Sequence, residues 1–304
     1  MISEAPTPYA GRTALVTGSS RGLGAATARL LARQGADVVV TYRKREDAAR
    51  EVAADVEAAG RRAWVHRCDL GELDDVEALV DAVEDPERGP GRLDVLVANA
   101  AATSFRPLLE TEPRHVEKTF AISVTGFLRL VQRCVPMLEA SGHGRVVAVS
   151  GVDTVTWIPA HGTLAAAKAA METMVAYLGC ELGERGVTVV GVNPGWIDGD
   201  SLKMMLGPFY EPLSEMEAQS HPMRQTMSPD DVAEAVAMLC GDAARLMNGS
   251  IVRADGAGVF SFCGRYLNLG VETVLGRLPA DGAPAFEGAA PSVTVRRPPE
   301  GPAA

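Results

Sequence analysis

The chain has no stretch approaching the roughly 20 consecutive apolar residues that a membrane helix needs, so no membrane span is expected. Its start, MISEAPTPYAGR, has no basic segment leading into an apolar run; no secretory signal is read there, and a cytoplasmic location is expected. Cysteine is sparse: Cys68, Cys134, Cys180, Cys240 and Cys263 are scattered without CxxC spacing. An odd, dispersed set argues against both a disulfide framework and a zinc site. These thiols read instead as small neutral residues in a reducing compartment. His66, His115 and His143 show no metal-ligand spacing, so no metal is expected. Positive charge is in deficit as well, 29 Lys and Arg against 39 Asp and Glu, for a net charge of −10. That balance disfavours nucleic acid or an anionic membrane as a partner.

What is present is a beat. Hydrophobic content of 47% over 304 residues is ordinary for a globular chain able to bury a full core. From residue 12 to about 254, short apolar runs (ALVTG, ADVVVTY, RRAWVHRCD, LDVLVANAA, GRVVAVS, VTVVGVNPG, GSIVRADGAG) alternate with helix-length segments. That alternation predicts an α/β fold, a single Rossmann-type doubly wound parallel sheet of about seven strands with helices on both faces. Its ligand crevice should lie outside the strand carboxyl ends. No internal repeat or mid-chain linker divides the chain. Residues 1–262 read as one dinucleotide-binding domain containing a substrate loop, 199–228. Residues 263–304 read as an extension: a short helix over 263–278, then a flexible Pro-, Gly- and Ala-rich tail.

Thr17-Gly18-Ser19-Ser20-Arg21-Gly22-Leu23-Gly24 follows the first strand and opens a helix. Glycines in that context let the backbone turn tightly and approach a pyrophosphate at the helix N-terminus. The second strand ends Thr41-Tyr42-Arg43-Lys44-Arg45, without the acid that usually holds a ribose diol in NAD proteins. Arg21 and Arg43 therefore point to a 2′-phosphate and to NADP(H); the alternative is that 43–45 is a solvated basic helix start.

The T-G-x-x-x-G-x-G loop, Asp69, Asn99-Ala100-Ala101, Lys168 and Asn193-Pro194-Gly195 occur in order over roughly residues 10–258. Together they resemble the short-chain dehydrogenase/reductase superfamily. The resemblance implies cofactor contacts at Gly18, Ser20, Arg21, Gly22, Leu23, Gly24, Arg43, Asp69, Leu70, Asn99, Ala100, Lys168, Pro194, Gly195 and Ile197. Asp69 would meet the adenine, and the Ile197 backbone the nicotinamide amide. Ala101 replaces the usual glycine. The family commonly forms homodimers or homotetramers through two long helices, here near 114–138 and 163–184, so a homo-oligomer is expected.

The catalytic end departs from this pattern. The family's tetrad is Asn, Ser, Tyr and Lys, the lysine holding the nicotinamide ribose. Counting back from Lys168, the tyrosine slot is Leu164 and the serine slot is Gly151, with Ser150 beside it; Ser123 takes the place of the asparagine. Enoyl-acyl-carrier-protein reductases, a divergent branch, set their tyrosine seven residues before the lysine, close to two helical turns and so on the same face. That slot here is His161. Ile158-Pro159-Ala160-His161 resembles the branch's Ile-Pro-Asn-Tyr, and the run from Val192 to Lys203 resembles type III members, with Gly199 in place of a threonine. Enoyl reduction needs a hydrogen-bond donor for the enolate oxygen. A neutral imidazole can give one such bond, and a protonated one is accessible. Met204, Met205, Phe209 and Tyr210 in the 199–228 loop are candidate walls for an acyl substrate, small or carrier-bound, or ordinary helix packing. Tyr210 and His221 are reserve proton donors. The leading expectation is NADPH-dependent reduction of an enoyl thioester, with His161, Lys168, Ser150 and Ser123 as the catalytic group. The alternatives are a non-redox isomerase, dehydratase or cyclase of secondary metabolism on the same scaffold, and a catalytically silent NADPH-binding protein in which His161 is a leftover loop residue.

Overall fold

A computed structural model of the protein describes residues 7–199, 202–203 and 206–260. The expected extension 263–304 therefore lies outside the described residues, as do Met204 and Met205. The described residues fall in one compact unit. Seven strands form one sheet: β1 (Thr13–Val16), β2 (Asp37–Tyr42), β3 (Ala63–Arg67), β4 (Val95–Ala98), β5 (Arg145–Val149), β6 (Thr188–Asn193) and β7 (Ile251–Arg253). Their order is β3-β2-β1-β4-β5-β6-β7, and every pairing is parallel. The predicted fold class and strand count are those observed.

Alternation along each central strand explains the two layers. Successive side chains point to opposite faces of a pleated strand, and a parallel sheet buries both faces, so its strands are apolar throughout. Val16, Val38, Val40, Val97 and Val190 join a core on one face with α1 (Gly22–Arg33), α2 (Glu46–Ala58) and α8 (Pro229–Cys240). Leu15, Val39, Leu96, Val146 and Val189 join the other, with α3 (Leu73–Glu84), α5 (Gly126–Ala140) and α6 (Gly162–Gly183). Cys68, Cys134 and Cys240 are buried in these cores, where desolvation pushes the Cys68 and Cys240 thiols up to about 12. Among the described residues, no helix is long and apolar enough to cross a membrane.

The predicted long helix near 114–138 is not continuous. It consists of α4 (Pro113–Phe120), a π-helical turn over Ala121–Thr125, and α5. Gly126 begins α5 so close to the preceding loop that a Cβ there would lie 2.1 Å from the Leu70 carbonyl oxygen. The wide turn carries the chain past Leu70, and π-turns of this kind often mark functional sites. The last helix before α8, α7 (Tyr210–Ser220), lies within the expected substrate loop.

Candidate active site

Sheet order reverses at β1, which pairs with both β2 and β4, and a cavity of about 640 Å³ opens there beyond the strand ends. The glycine loop forms one end. Gly18 and Gly22 have positive φ (64° and 54°), and a Cβ on Gly24 would lie 2.5 Å from the Gly18 carbonyl. Gly24 thus closes the loop from behind without lining the cavity. Hydroxyls hold the loop: Thr41 Oγ1 accepts from the Gly18 N–H at 3.0 Å, and Thr17 Oγ1 accepts from the N–H groups of Asn99 (2.9 Å) and Ala100 (3.0 Å). Asn99 Nδ2 returns a bond to the Thr17 carbonyl at 2.9 Å.

The N-terminus of α1 opens onto this end with no side-chain cap and no acidic residue in its first turn. Its free N–H groups and positive dipole end favour an anion. Arg21, Arg43, Lys44 and Arg45 line the same end, and Arg43 also reaches Asp69 at 3.7 Å. A chain with ten excess negative charges has gathered four cations on the wall of one cavity. The loop, the helix end and the cations fit a dinucleotide bearing an extra phosphate. Ser20, Leu23, Leu70, Ala100, Pro194, Gly195 and Ile197 line the cavity too.

At the opposite end, Lys168 is 4% exposed and its Nζ donates to the Val149 carbonyl at 2.5 Å. Desolvation pushes its amine down to about 8, against the attraction of Asp153 and Glu172. Ser150 donates to Glu172 Oε1, which also accepts from Thr154 Oγ1 at 3.0 Å. Asn193 Nδ2 donates to the Gly151 carbonyl (2.9 Å) and to Thr154 (3.1 Å). The Ser150 hydroxyl is therefore committed to the protein, although Ser150 lines the cavity.

His161 is the residue just before α6 and lines the cavity, as does Leu164. Its ring packs on Phe105 with centroids 4.7 Å apart, and Nδ1 lies 2.9 Å from the Pro159 carbonyl. A carbonyl only accepts, so Nδ1 carries the proton of the neutral ring and Nε2 is left as an acceptor. The neutral imidazole expected to donate has therefore spent its one bond; His161 donates from Nε2 only as imidazolium. Ala160, preceding it, adopts φ 62°.

Other expected participants stand elsewhere. Ser123 lies in the π-turn, buried and without a partner for its Oγ, and does not line the cavity. Tyr210, expected on a substrate wall, donates its hydroxyl to Asp198; that bond pushes the phenol pKa up, and Tyr210 does not line the cavity. His221 is 3% exposed with both nitrogens engaged, Nε2 donating to the Asp255 carbonyl (2.9 Å) and Nδ1 accepting from the Met223 N–H (3.2 Å). Neither reserve donor is free. Phe209 sits in a short 3-10 turn; among the described side chains, Phe105, Ile158, Leu164, Trp196 and Leu202 line the cavity wall. Sequence reasoning missed Asp153 and Glu172. Glu172 lies four residues after Lys168, one helical turn, and that spacing was the available signal.

The family model described as enoyl-(acyl carrier protein) reductase matches residues 18–258. The chain belongs to the short-chain dehydrogenase/reductase family. It is 34% identical to 1-cyclohexenylcarbonyl-CoA reductase of Streptomyces collinus, over 81% of this chain and 86% of that protein. It is 31% identical to a versicolorin reductase of Emericella nidulans, over 81% and 95% respectively. The solved angucycline C-6 ketoreductase LanV with bound NADP superposes with a TM-score of 0.77 at 32% identity, covering 84% of this chain and 99% of that one. This short-chain dehydrogenase/reductase is accordingly an oxidoreductase, one whose tyrosine and serine slots hold Leu164 and Gly151.

Proposed function

We propose that the protein reduces the carbon–carbon double bond of an enoyl thioester with NADPH. The observation that carries the reading is one cavity with a cationic, glycine-lined end and a buried lysine end, with His161 seven residues before Lys168 lining the latter. The kinship with a CoA-thioester reductase and the family model's description support the thioester, and the NADP held by LanV supports the cofactor. When bound, the nicotinamide would supply two electrons and a hydrogen to the β-carbon.

The chain's own residues would do the rest. The glycine loop and the start of α1 take the pyrophosphate, Arg21 and Arg43 the 2′-phosphate, Asp69 and Leu70 the adenine side, Lys168 the nicotinamide ribose, and Pro194 to Ile197 the amide. Phe105, Ile158, Leu164, Trp196 and Leu202 offer apolar walls to an acyl group and exclude water from the reacting carbons. His161, as imidazolium, hydrogen-bonds the thioester oxygen as charge develops there.

Purified protein is expected to oxidise NADPH faster than NADH when given a trans-2-enoyl-CoA, and His161→Ala to slow this by roughly 10²-fold, the usual loss for one oxyanion donor. If neither enoyl nor keto substrates consume NADPH, the reading is wrong, and conversion without NADPH loss would replace it with a non-redox enzyme.

A further inference from the structure

The serine slot holds a glycine, yet its space is taken. A Cβ built on Gly151 would lie 2.5 Å from Asp153 Oδ1, far inside contact distance. The Asp153 carboxyl thus stands in the volume a side chain at 151 would enter. Asp153 lines the cavity, and both its carboxyl oxygens are buried with no hydrogen-bond partner from any other residue. Its neutral polar neighbours are committed elsewhere: Ser150 and Thr154 to Glu172, Asn193 to the Gly151 carbonyl and to Thr154. A buried acceptor left unpaired keeps its full desolvation penalty, so such a group in a cavity wall points to a ligand that completes it.

We infer that Asp153 is a catalytic residue, a neutral carboxylic acid that hydrogen-bonds the substrate carbonyl oxygen and passes it a proton, in place of the missing hydroxyl donors. The inference rests on the reductase reading. The charged groups facing Asp153 are His161 at the start of α6 and Lys168 and Glu172 within it. Burial is the largest influence and raises the carboxyl pKa; His161, Lys168 and the residue's own backbone N–H pull it down, and Glu172 pushes it up. The net direction favours the neutral acid, the form able to donate.

As the β-carbon gains its hydrogen and electron pair, the double-bond pair shifts to join the α-carbon to the carbonyl carbon. The carbonyl pair moves onto oxygen, which takes the proton from the Asp153 O–H bond and leaves a carboxylate and an enol. When the enol collapses, the α-carbon takes a proton from water and the enol proton returns to Asp153. The sum is one reduced double bond, one oxidised cofactor and one proton drawn from solvent.

The test is steady-state turnover of a trans-2-enoyl-CoA by wild type, Asp153→Ala, Asp153→Asn and the Gly151→Ser/Asp153→Ala double variant, with NADPH affinity measured by fluorescence on each. Asp153→Ala is expected to lower kcat by roughly 10²-fold or more while NADPH affinity stays at the wild-type level. The amide of Asp153→Asn keeps a donor without a transferable proton. It should remove the part of the fall in rate at rising pH that comes from ionisation of Asp153, leaving only the limb set by loss of the His161 imidazolium. The double variant, with a hydroxyl in the vacated space, should recover at least tenfold over Asp153→Ala. An active wild type with an equally active Asp153→Ala overturns the inference, as does loss of NADPH affinity in step with kcat, which would mark a purely structural role. If wild type consumes no NADPH with any substrate, the reductase reading has failed, and the Asp153 role falls with it.

Discussion

Lys168 shows how far burial alone bends the chemistry of a single side chain. Its charged form is disfavoured in the folded protein, where the amine sits near 8, relative to an unfolded value of 10.5. Between those values the unfolded chain binds more protons, so folding stability must rise with pH there. Below about pH 8 the buried charge costs on the order of 3 kcal/mol, relieved as pH climbs from 8 to 10.5. Urea titrations of the cofactor-free protein should therefore show wild type gaining stability on Lys168→Met across that window. A gap independent of pH would deny the shift. Cysteine ionisation pulls in the opposite sense, which is why the comparison must be with the variant rather than with wild type at another pH.

At the level of elements, the π-turn between α4 and α5 is the feature most exposed to a single change. Gly126→Ala would set a methyl 2.1 Å from the Leu70 carbonyl, and neither backbone can yield cheaply. Forced separation of this kind typically costs about 1–3 kcal/mol. Because Leu70 lines the cavity, the expected result is a lower urea midpoint together with weaker NADPH binding. An unchanged midpoint would mean that the loop carrying Leu70 moves freely. The turn also marks the limit of pattern reading. Periodicity over 114–138 is helical throughout and says nothing of one widened turn, because the cause, the carbonyl of Leu70, is over fifty positions away in the chain.

The same limit runs through the site. Strands, their two-sided burial and the glycine loop were legible because local composition dictates them: apolar runs for a buried parallel sheet, glycines where φ is positive. His161 and Lys168 were legible through spacing along one helix. Asp153 was not, since its meaning lies in the absent side chain at Gly151 and in the missing partners of its own oxygens, neither of which is a pattern. The commitment of the His161 Nδ1 proton to Pro159 was equally invisible, being set by the geometry of the loop rather than by residue type.

At the scale of the whole molecule, charge is distributed against its own average. A net charge of −10 repels anions generally, whereas Arg21, Arg43, Lys44 and Arg45 attract them at one place. Preference for NADPH over NADH should then weaken as salt rises, since partly exposed pairs are screened once the Debye length falls to about 10 Å and below. Arg21→Ala with Arg43→Ala should remove most of that salt dependence. Equal salt sensitivity for both dinucleotides would argue that the basic cluster does not meet the 2′-phosphate. Saturating cofactor should also protect the fold, by about 2.7 kcal/mol at a hundred times its dissociation constant, visible as a raised Tm.

The tether between the His161 ring and the Pro159 carbonyl, with the left-handed Ala160 between them, bears on the timing of turnover. The orientation of the ring is fixed by its own backbone and by Phe105, not by anything that arrives. In the role proposed for it, a ring held in this way has no rotamer search to complete after substrate enters, and the entropy of ordering it, up to about 1.5–2 kcal/mol for the most flexible side chains, is already spent during folding. The ordering cost is thus met once, when the loop closes, and not again at each encounter with a ligand.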